Sequence, residues 1–417
     1  MFDPDKQRWF AVEVVKQLRA HEHESYWAGG CVRDELLGHK PKDYDVATSA
    51  RPDEIRHIFG KRKTLAIGAA FGVITVLGPS GAGQIEVATF RQDVSYSDGR
   101  RPDEVRFSSP REDALRRDFT INGMFYDPVE GQLIDFVGGK DDLERRLIRA
   151  IGEPRERFTE DKLRMLRAVR FAAAFEFALE EHTEAAIREM AHQLTVVSAE
   201  RIAAEMRAML EGAGRANAVE LLRQTALLER VLPEVTELDD AEQERWQTRL
   251  RFLDALDRPT FPQALAVLLG WPQGEKKAAM VGPRWRLSNK EIERTDWLLR
   301  HGTALDDAAG QPWPRLQPVL VYEGIDDLMS LYQTAARMGL AAQADVDFGR
   351  QKLALPPEQL NPLPLVTGED LIALGVPKGK LYAVLLKAAR EAQLAGVIHT
   401  PEEAKAFVLD RWRQSRG

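Results

Sequence analysis

The rhythm of hydrophobic and polar positions along this chain changes near residue 150. Before that point, short β-branched runs bounded by glycines alternate with amphipathic stretches. FGVITVLG (71–78) and QIEVATFR (84–91) read as strands. The GPSGAG between them, residues 78–83, reads as a hairpin turn, because no Lys-Ser/Thr follows to make it a phosphate loop. RPDEIRHIF (51–59) opens with proline and acidic residues, as helices do. After residue 150 the apolar period is 3.6. DKLRMLRAVRFAAAF (161–175), TEAAIREMAHQL (183–194), AERIAAEMRAML (199–210) and AVELLRQTALLERVL (218–232) all carry it. WPQGEKKAAMVGPRWRL (271–287) and KLALPPEQLNPLPLVTGED (352–370) break the helical half into blocks. The predicted class is α+β, a mixed α/β head followed by a long helical body.

Composition narrows this picture only a little. With 417 residues, 44% hydrophobic and 29% charged, the chain reads as a folded protein of more than one domain. No apolar run approaches the roughly 20 residues of a membrane span, and the N-terminus MFDPDKQRWF lacks a signal-peptide pattern. A lone cysteine, Cys31, forbids an internal disulfide and makes the cytoplasm the expected compartment; it reads as a small packing residue. A net charge of −7 leaves room for a local basic groove.

Candidate chemistry begins in GGCVRDELLGHKPKDYDVAT, residues 29–48. Residues i and i+2 of a strand share a face, so a strand through DYDVAT brings Asp43 and Asp45 together. Two carboxylates that close repel unless a cation sits between them, and a divalent metal would do so. Glu86, in QIEVATFR, offers a third carboxylate on a strand. DALRRDFTINGM (113–124) contributes Arg116 and Arg117, suited to phosphate oxygens, followed by Asp118 and Asn122. In FTEDKLRMLRAVRF (158–171), Asp161 and Arg164 stand at i, i+3, as on one helix face. Met165, Val169 and Ala172 form a core stripe there.

GGCVRD…DYDVAT, RRDFTINGM, DFVGGKDDL, EDKLRMLRAVRF and SAERIAAE follow one another in that order. The set resembles the class II tRNA nucleotidyltransferases, the CCA-adding enzymes, and their relatives the bacterial poly(A) polymerases, all of the polymerase-β superfamily. The resemblance implies a nucleotidyltransferase head (1–148), a helical neck that recognises the base (149–235), and a helical body and tail that bind RNA (236–417). It implies transfer of nucleotides from CTP and ATP to a tRNA 3′ end, with Mg²⁺ at Asp43 and Asp45 and Glu86 in support; a monomer is the expected state. Gly29, Gly30 and Arg33 would meet the triphosphate. Arg116, Arg117, Asp118, Asn122 and Arg167 would complete the nucleotide site. Asp161 and Arg164 fit the family's ED-x-x-R motif. A carboxylate accepts from the exocyclic amine of C or A, and a guanidinium donates to the ring nitrogen beside it. U and G would mismatch both contacts, at about 1–3 kcal/mol each.

Two basic stretches are candidates for holding RNA: Lys276, Lys277, Arg284 and Arg286, with Trp285 among them, and Lys378 with Lys380 in PKGK. The segment RQDVSYSDGRRPDEVRF (91–107) reads as a mobile loop; the resemblance implies that it helps the site change from CTP to ATP, with Arg100, Arg101 and Asp103 as its charged anchors. KTLAIGAAFGVITV (63–76) lacks the basic GRRF-like run of bacterial poly(A) polymerases, which favours tRNA as substrate. The alternatives are a poly(A) polymerase, a CC-adding or A-adding member of a split system, and an RNA-binding module with an inactive head.

Overall fold

The computed structural model describes residues 3–93, 105–235, 240–273 and 277–415. They divide into two compact units, Met1–Thr236 and Glu237–Gly417. The first carries the strands: β1 (Ser25–Ala28), β2 (Asp45–Thr48), β3 (Thr64–Leu65), β4 (Val73–Leu77), β5 (Gln84–Thr89), β6 (Arg91–Asp93), β7 (Val105–Phe107), β8 (Phe125–Asp127) and β9 (Gln132–Ile134). Seven of them form one sheet in the order β3-β4-β5-β2-β1-β8-β9, while β6 and β7 pair separately. GPSGAG is the turn of the β4–β5 hairpin, as its composition predicts. β2 and β5 pair in parallel, so this hairpin is joined to β2 by a crossover that contains the helix Pro52–Phe59.

Burial in the sheet follows the alternation of its residues. Val46, Ile74, Val76, Ile85 and Val87 are buried, and the helices Pro4–Ala20 and Pro52–Phe59 pack on the strands that carry them. The helix Pro4–Ala20 starts where the Asp3 carboxylate accepts the amides of Asp5 and Lys6, and it buries Phe10, Ala11, Val14, Val15 and Leu18. A small cluster of Ala28, Ala47, Phe90, Ala114 and Phe125 supports β1, β2 and β8.

Beyond the sheet the first unit is helical. The helix Leu163–Phe175 buries Met165, Val169 and Ala172, the predicted stripe, and packs against Ala199–Glu211 and Arg215–Gln224. Gly214 permits the last contact, since a Cβ there would lie 2.1 Å from the carbonyl oxygen of Ala173. The periodic segment 218–232 is not one helix. It stops at Gln224, the Thr225 hydroxyl donates back to the Leu221 carbonyl at 2.7 Å, and Ala226 turns left-handed at φ 59°. A short helix resumes at Leu228–Val231.

The second unit is built of helices among its described residues, from Asp240–Ala255 to Pro401–Gln414. Near its end Leu371, Val376, Leu385, Ala389, Ala404 and Val408 form a separate apolar cluster. No helix among the described residues is long and apolar enough to cross a membrane.

Candidate active site

The site is organised by β2 and its neighbours. β2 begins at Asp45, and Asp43 lies in the extended lead-in. Burial alternates through this segment: Asp43 and Asp45 are exposed, Tyr44 and Val46 buried. The two carboxylates therefore share a face, as the spacing predicts. Asp45 sits in register with Glu86 on the parallel strand β5, and Glu86 is exposed on its own strand. Although the Asp45 carboxylate reaches solvent, protein surrounds much of it. That desolvation, with the charges of Asp43 and Glu86, pushes its pKa up to about 7 against the opposing pull of Arg117. Among the described residues, no set of three His, Cys, Asp or Glu side chains already converges into a metal cage.

The glycine pair lies at the end of β1, beside Asp45, because Ala28 and Asp45 are register partners. Gly29 adopts φ 74° and caps the helix Gly30–Leu36. A Cβ on Gly29 would stand 3.0 Å from Nη1 of Arg117, so space and backbone both select glycine. Cys31 is buried below, its thiol donating to the Ala28 carbonyl, and burial pushes its pKa up to about 12. It is a packing residue, as expected.

The RRDFTIN stretch is held by an acid that the sequence reading passed over. Asp113 is 1% exposed and accepts from Arg116 Nε at 2.8 Å and Arg117 Nη2 at 2.9 Å. Burial alone would raise its pKa; Arg117 and Arg116 overcome this and hold it below the ordinary range. Its position three and four residues before the arginines, on one helix face, was the available signal. Asp118 accepts from Arg167 at 2.7 Å and from the Asn122 amide at 3.2 Å, and Asn122 accepts from Arg33 at 2.7 Å. Burial again opposes ionisation of Asp118, and Arg167 prevails. Arg33 is not a freely projecting cation. It is 8% exposed, bonds to Asp34, and lies 4.4 Å from the centre of the Phe175 ring. Arg33, Asn122, Asp118 and Arg167 thus form one continuous chain of polar contacts.

Asp161 and Arg164 depart from the expected single helix face. The helix Pro154–Glu160 ends before Asp161, whose backbone is extended at φ −147°, and the next helix begins at Leu163. The Asp161 carboxylate accepts the Leu163 amide, so it caps a break where periodicity alone suggested continuity. It is also held by both terminal nitrogens of Arg201, at 3.1 and 2.7 Å. Arg164 pairs with Glu160 at 2.6 Å and donates to the carbonyls of Arg157 and Arg116. Arg201 and Glu205 lie in SAERIAAE, where sequence alone assigns neither a role. Their i, i+4 spacing places both on one face of Ala199–Glu211, where Glu205 accepts from Arg170 at 2.6 Å.

The candidate RNA residues lie in the second unit. Lys277 opens the helix Lys277–Arg284, while Lys276 falls outside the described residues. Arg284 and Arg286 are exposed, but Trp285 is 2% exposed and packs toward Phe261, which makes it core. Lys378 and Lys380 are exposed before the helix Leu381–Leu394. The ends of the 91–107 segment pair as β6 and β7 instead of running free; its centre, 94–104, with Arg100, Arg101 and Asp103, lies outside the described residues.

Comparison with known proteins supplies the family. Residues 25–149 match the poly A polymerase head domain, and residues 176–238 match the probable RNA and SrmB-binding site of polymerase A. A CCA-adding enzyme of Enterococcus faecalis is 35% identical over 94% of this chain and 93% of its own length. Another, from Geobacillus kaustophilus, is 34% identical over 97% of both. The crystal structure of the Bacillus stearothermophilus CCA-adding enzyme in complex with CTP is 32% identical and superposes with a TM-score of 0.76, covering 100% of this chain and 99% of that one. Near full-length identity, a shared fold and ordered motifs agree: this chain belongs to the CCA-adding enzymes, a family of nucleotidyltransferases.

Proposed function

We propose that this chain completes the CCA end of tRNA from CTP and ATP, acting as a cytoplasmic monomer with Mg²⁺. The observation that carries the reading is the pairing of Asp45 with Glu86 in register, with Asp43 beside them on the open face of the sheet. The raised pKa of Asp45 is what a carboxylate awaiting a cation has, and among the described residues no ion pair neutralises Asp43, Asp45 or Glu86. Magnesium fits this donor set, since it binds through one or two carboxylates plus phosphate oxygens and water more often than in an all-protein cage. Bound at Asp43 and Asp45, with Glu86 in support, it would neutralise charge on the attacking oxygen and on the departing pyrophosphate.

The protein's own part is positioning. The RNA 3′ hydroxyl gives up its proton to water as its oxygen bonds to the α-phosphorus, the bond from that phosphorus to the oxygen it shares with the β-phosphorus breaks, and pyrophosphate leaves in line. The Gly29–Gly30 turn lets backbone come close to the triphosphate. Arg116 and Arg117, splayed on Asp113, present positive charge beside it. Asp118, Asn122 and Arg167, with Arg33 behind them, fix the floor under the ribose. Base choice falls to Asp161 and Arg164. Arg201 and the Leu163 amide leave one lone pair on Oδ2 of Asp161, and the contacts of Arg164 leave Nε and part of Nη2 free to donate. That remaining acceptor and donor match the amine and ring nitrogen of C and A.

Lys277, Arg284, Arg286, Lys378 and Lys380 are the proposed phosphate contacts of the RNA. The test offers tRNAs ending before the first C, after CC and with full CCA, and sequences the products. Discrete completion to CCA is expected. Long A tails on varied RNAs would favour a poly(A) polymerase, and arrest after CC or inertness on all but CC ends would favour one half of a split system.

A further inference from the structure

The face of β2 opposite the reaction carries its own polar cluster. Tyr44 separates Asp43 from Asp45, so its side chain must point the other way. It is 3% exposed, its ring centre is 4.7 Å from that of Trp27 on β1, and its hydroxyl donates to Glu35 Oε1 at 2.7 Å. The same oxygen accepts from Arg8 Nε at 3.0 Å. Arg8 belongs to the helix Pro4–Ala20, Glu35 to the helix Gly30–Leu36, and the Arg8 guanidinium also lies 5.2 Å from the Trp27 ring centre. One carboxylate oxygen therefore ties two helices and the residue between the two catalytic aspartates. A strand lead-in such as Asp43–Tyr44 has no ladder partner of its own, and its backbone position depends on what holds its side chain.

Resting on the metal reading above, we propose that Tyr44 is a positioning residue for Asp43 and Asp45, held by Glu35, which Arg8 orients. A phenylalanine would supply the packing against Trp27. The hydroxyl adds a fixed anchor, and a charge-assisted hydrogen bond of this kind is directional enough to set where the backbone between the carboxylates lies. A cavity of about 250 Å³ lined by Arg8, Glu35, His39 and Tyr44 adjoins the anchor, so water can take the place of a deleted hydroxyl and the folding cost of its loss is small.

The experiment compares wild type, Tyr44→Phe, Glu35→Gln, Glu35→Ala and Asp45→Asn in the full chain. Mn²⁺ binding is read by electron paramagnetic resonance with CTP present, alongside the Mg²⁺ dependence of transfer and the melting temperature. Tyr44→Phe is expected to weaken Mn²⁺ binding and raise the Mg²⁺ needed for half-maximal rate by roughly three- to tenfold, a fraction of the worth of a hydrogen bond to a charged group, because the anchor acts on the metal only through the backbone between its ligands. Metal-free CTP affinity and melting temperature should stay near wild type. Glu35→Ala should match it, Glu35→Gln should restore part of the loss because it keeps an acceptor, and Tyr44→Phe combined with Glu35→Ala should add nothing further. If Tyr44→Phe binds Mn²⁺ as wild type does while Asp45→Asn does not, the positioning role is overturned and the metal site stands. If Asp45→Asn also binds as wild type does, both readings fall.

Discussion

At the scale of single residues, Asp45 carries the sharpest consequences. Its Asp-to-Asn substitution removes a charge that the fold tolerates poorly and on which the proposed metal binding depends. Transfer should vanish while the metal-free protein melts at the same temperature or a few degrees higher, about 2–4 °C for each kcal/mol in a domain of this size. Radiolabelled CMP transfer and calorimetry on the same preparation check this. The sign of its pH dependence follows from a pKa near 7 against an ordinary value of 3.8. Between those values the folded state holds more protons than the unfolded one, so this group makes the metal-free fold less stable as pH rises. Proton and cation compete for the same oxygens. Mn²⁺ affinity should therefore tighten as pH climbs toward 7, by up to about tenfold per unit, and level off above it. Titrations from pH 5.5 to 8.5 would show it, and a flat profile would detach Asp45 from the metal. For Asp161→Ala the expected result is relaxed choice of C and A over U and G, by roughly ten- to a hundredfold. Sequencing of products made with mixed triphosphates measures it; unchanged fidelity with lost CTP binding would contradict the base-reading role.

Among the elements, the helix Pro110–Leu115 matters most, because it delivers Asp113 to the two arginines. Asp113→Ala leaves Arg116 and Arg117 facing each other in a largely buried place, at a cost of about 3–5 kcal/mol. Urea unfolding monitored by circular dichroism should register that loss, together with a drop in CTP affinity. Asp113 and Asp118 are both held below the ordinary carboxylate range. Their contribution is present above about pH 4 and lost as pH falls through their lowered values. Elements also mark where pattern misleads. The stretches 158–171 and 218–232 look continuous because apolar spacing survives a break. What ends the helices is local: Asp161 capping Leu163, and Thr225 bonding back to Leu221. Both breaks use residue types that compete for backbone hydrogen bonds, so the signal was present but weaker than the periodicity.

For the whole molecule, the division into Met1–Thr236 and Glu237–Gly417 suggests an experiment. A fragment of residues 1–235 should unfold cooperatively and bind CTP with Mg²⁺, yet extend tRNA at least tenfold less efficiently than the full chain, since the proposed phosphate contacts lie beyond it. Efficiency equal to the full chain would remove Lys277, Arg284, Arg286, Lys378 and Lys380 from RNA binding. The sequence by itself determined the α+β class, the shared face of Asp43 and Asp45, the GPSGAG hairpin and the family, because these rest on local periodicity and on motifs short enough to be read in one stretch. Tertiary structure alone decided who neutralises whom. Asp161 finds Arg201 forty residues away, Arg167 finds Asp118, Trp285 goes to the core, and Tyr44 meets Arg8 through Glu35. A charge on a helix face has several partners within reach in sequence. Which one it meets depends on how helices cross and strands register, and those are fixed by packing of the whole unit and not by any segment of it.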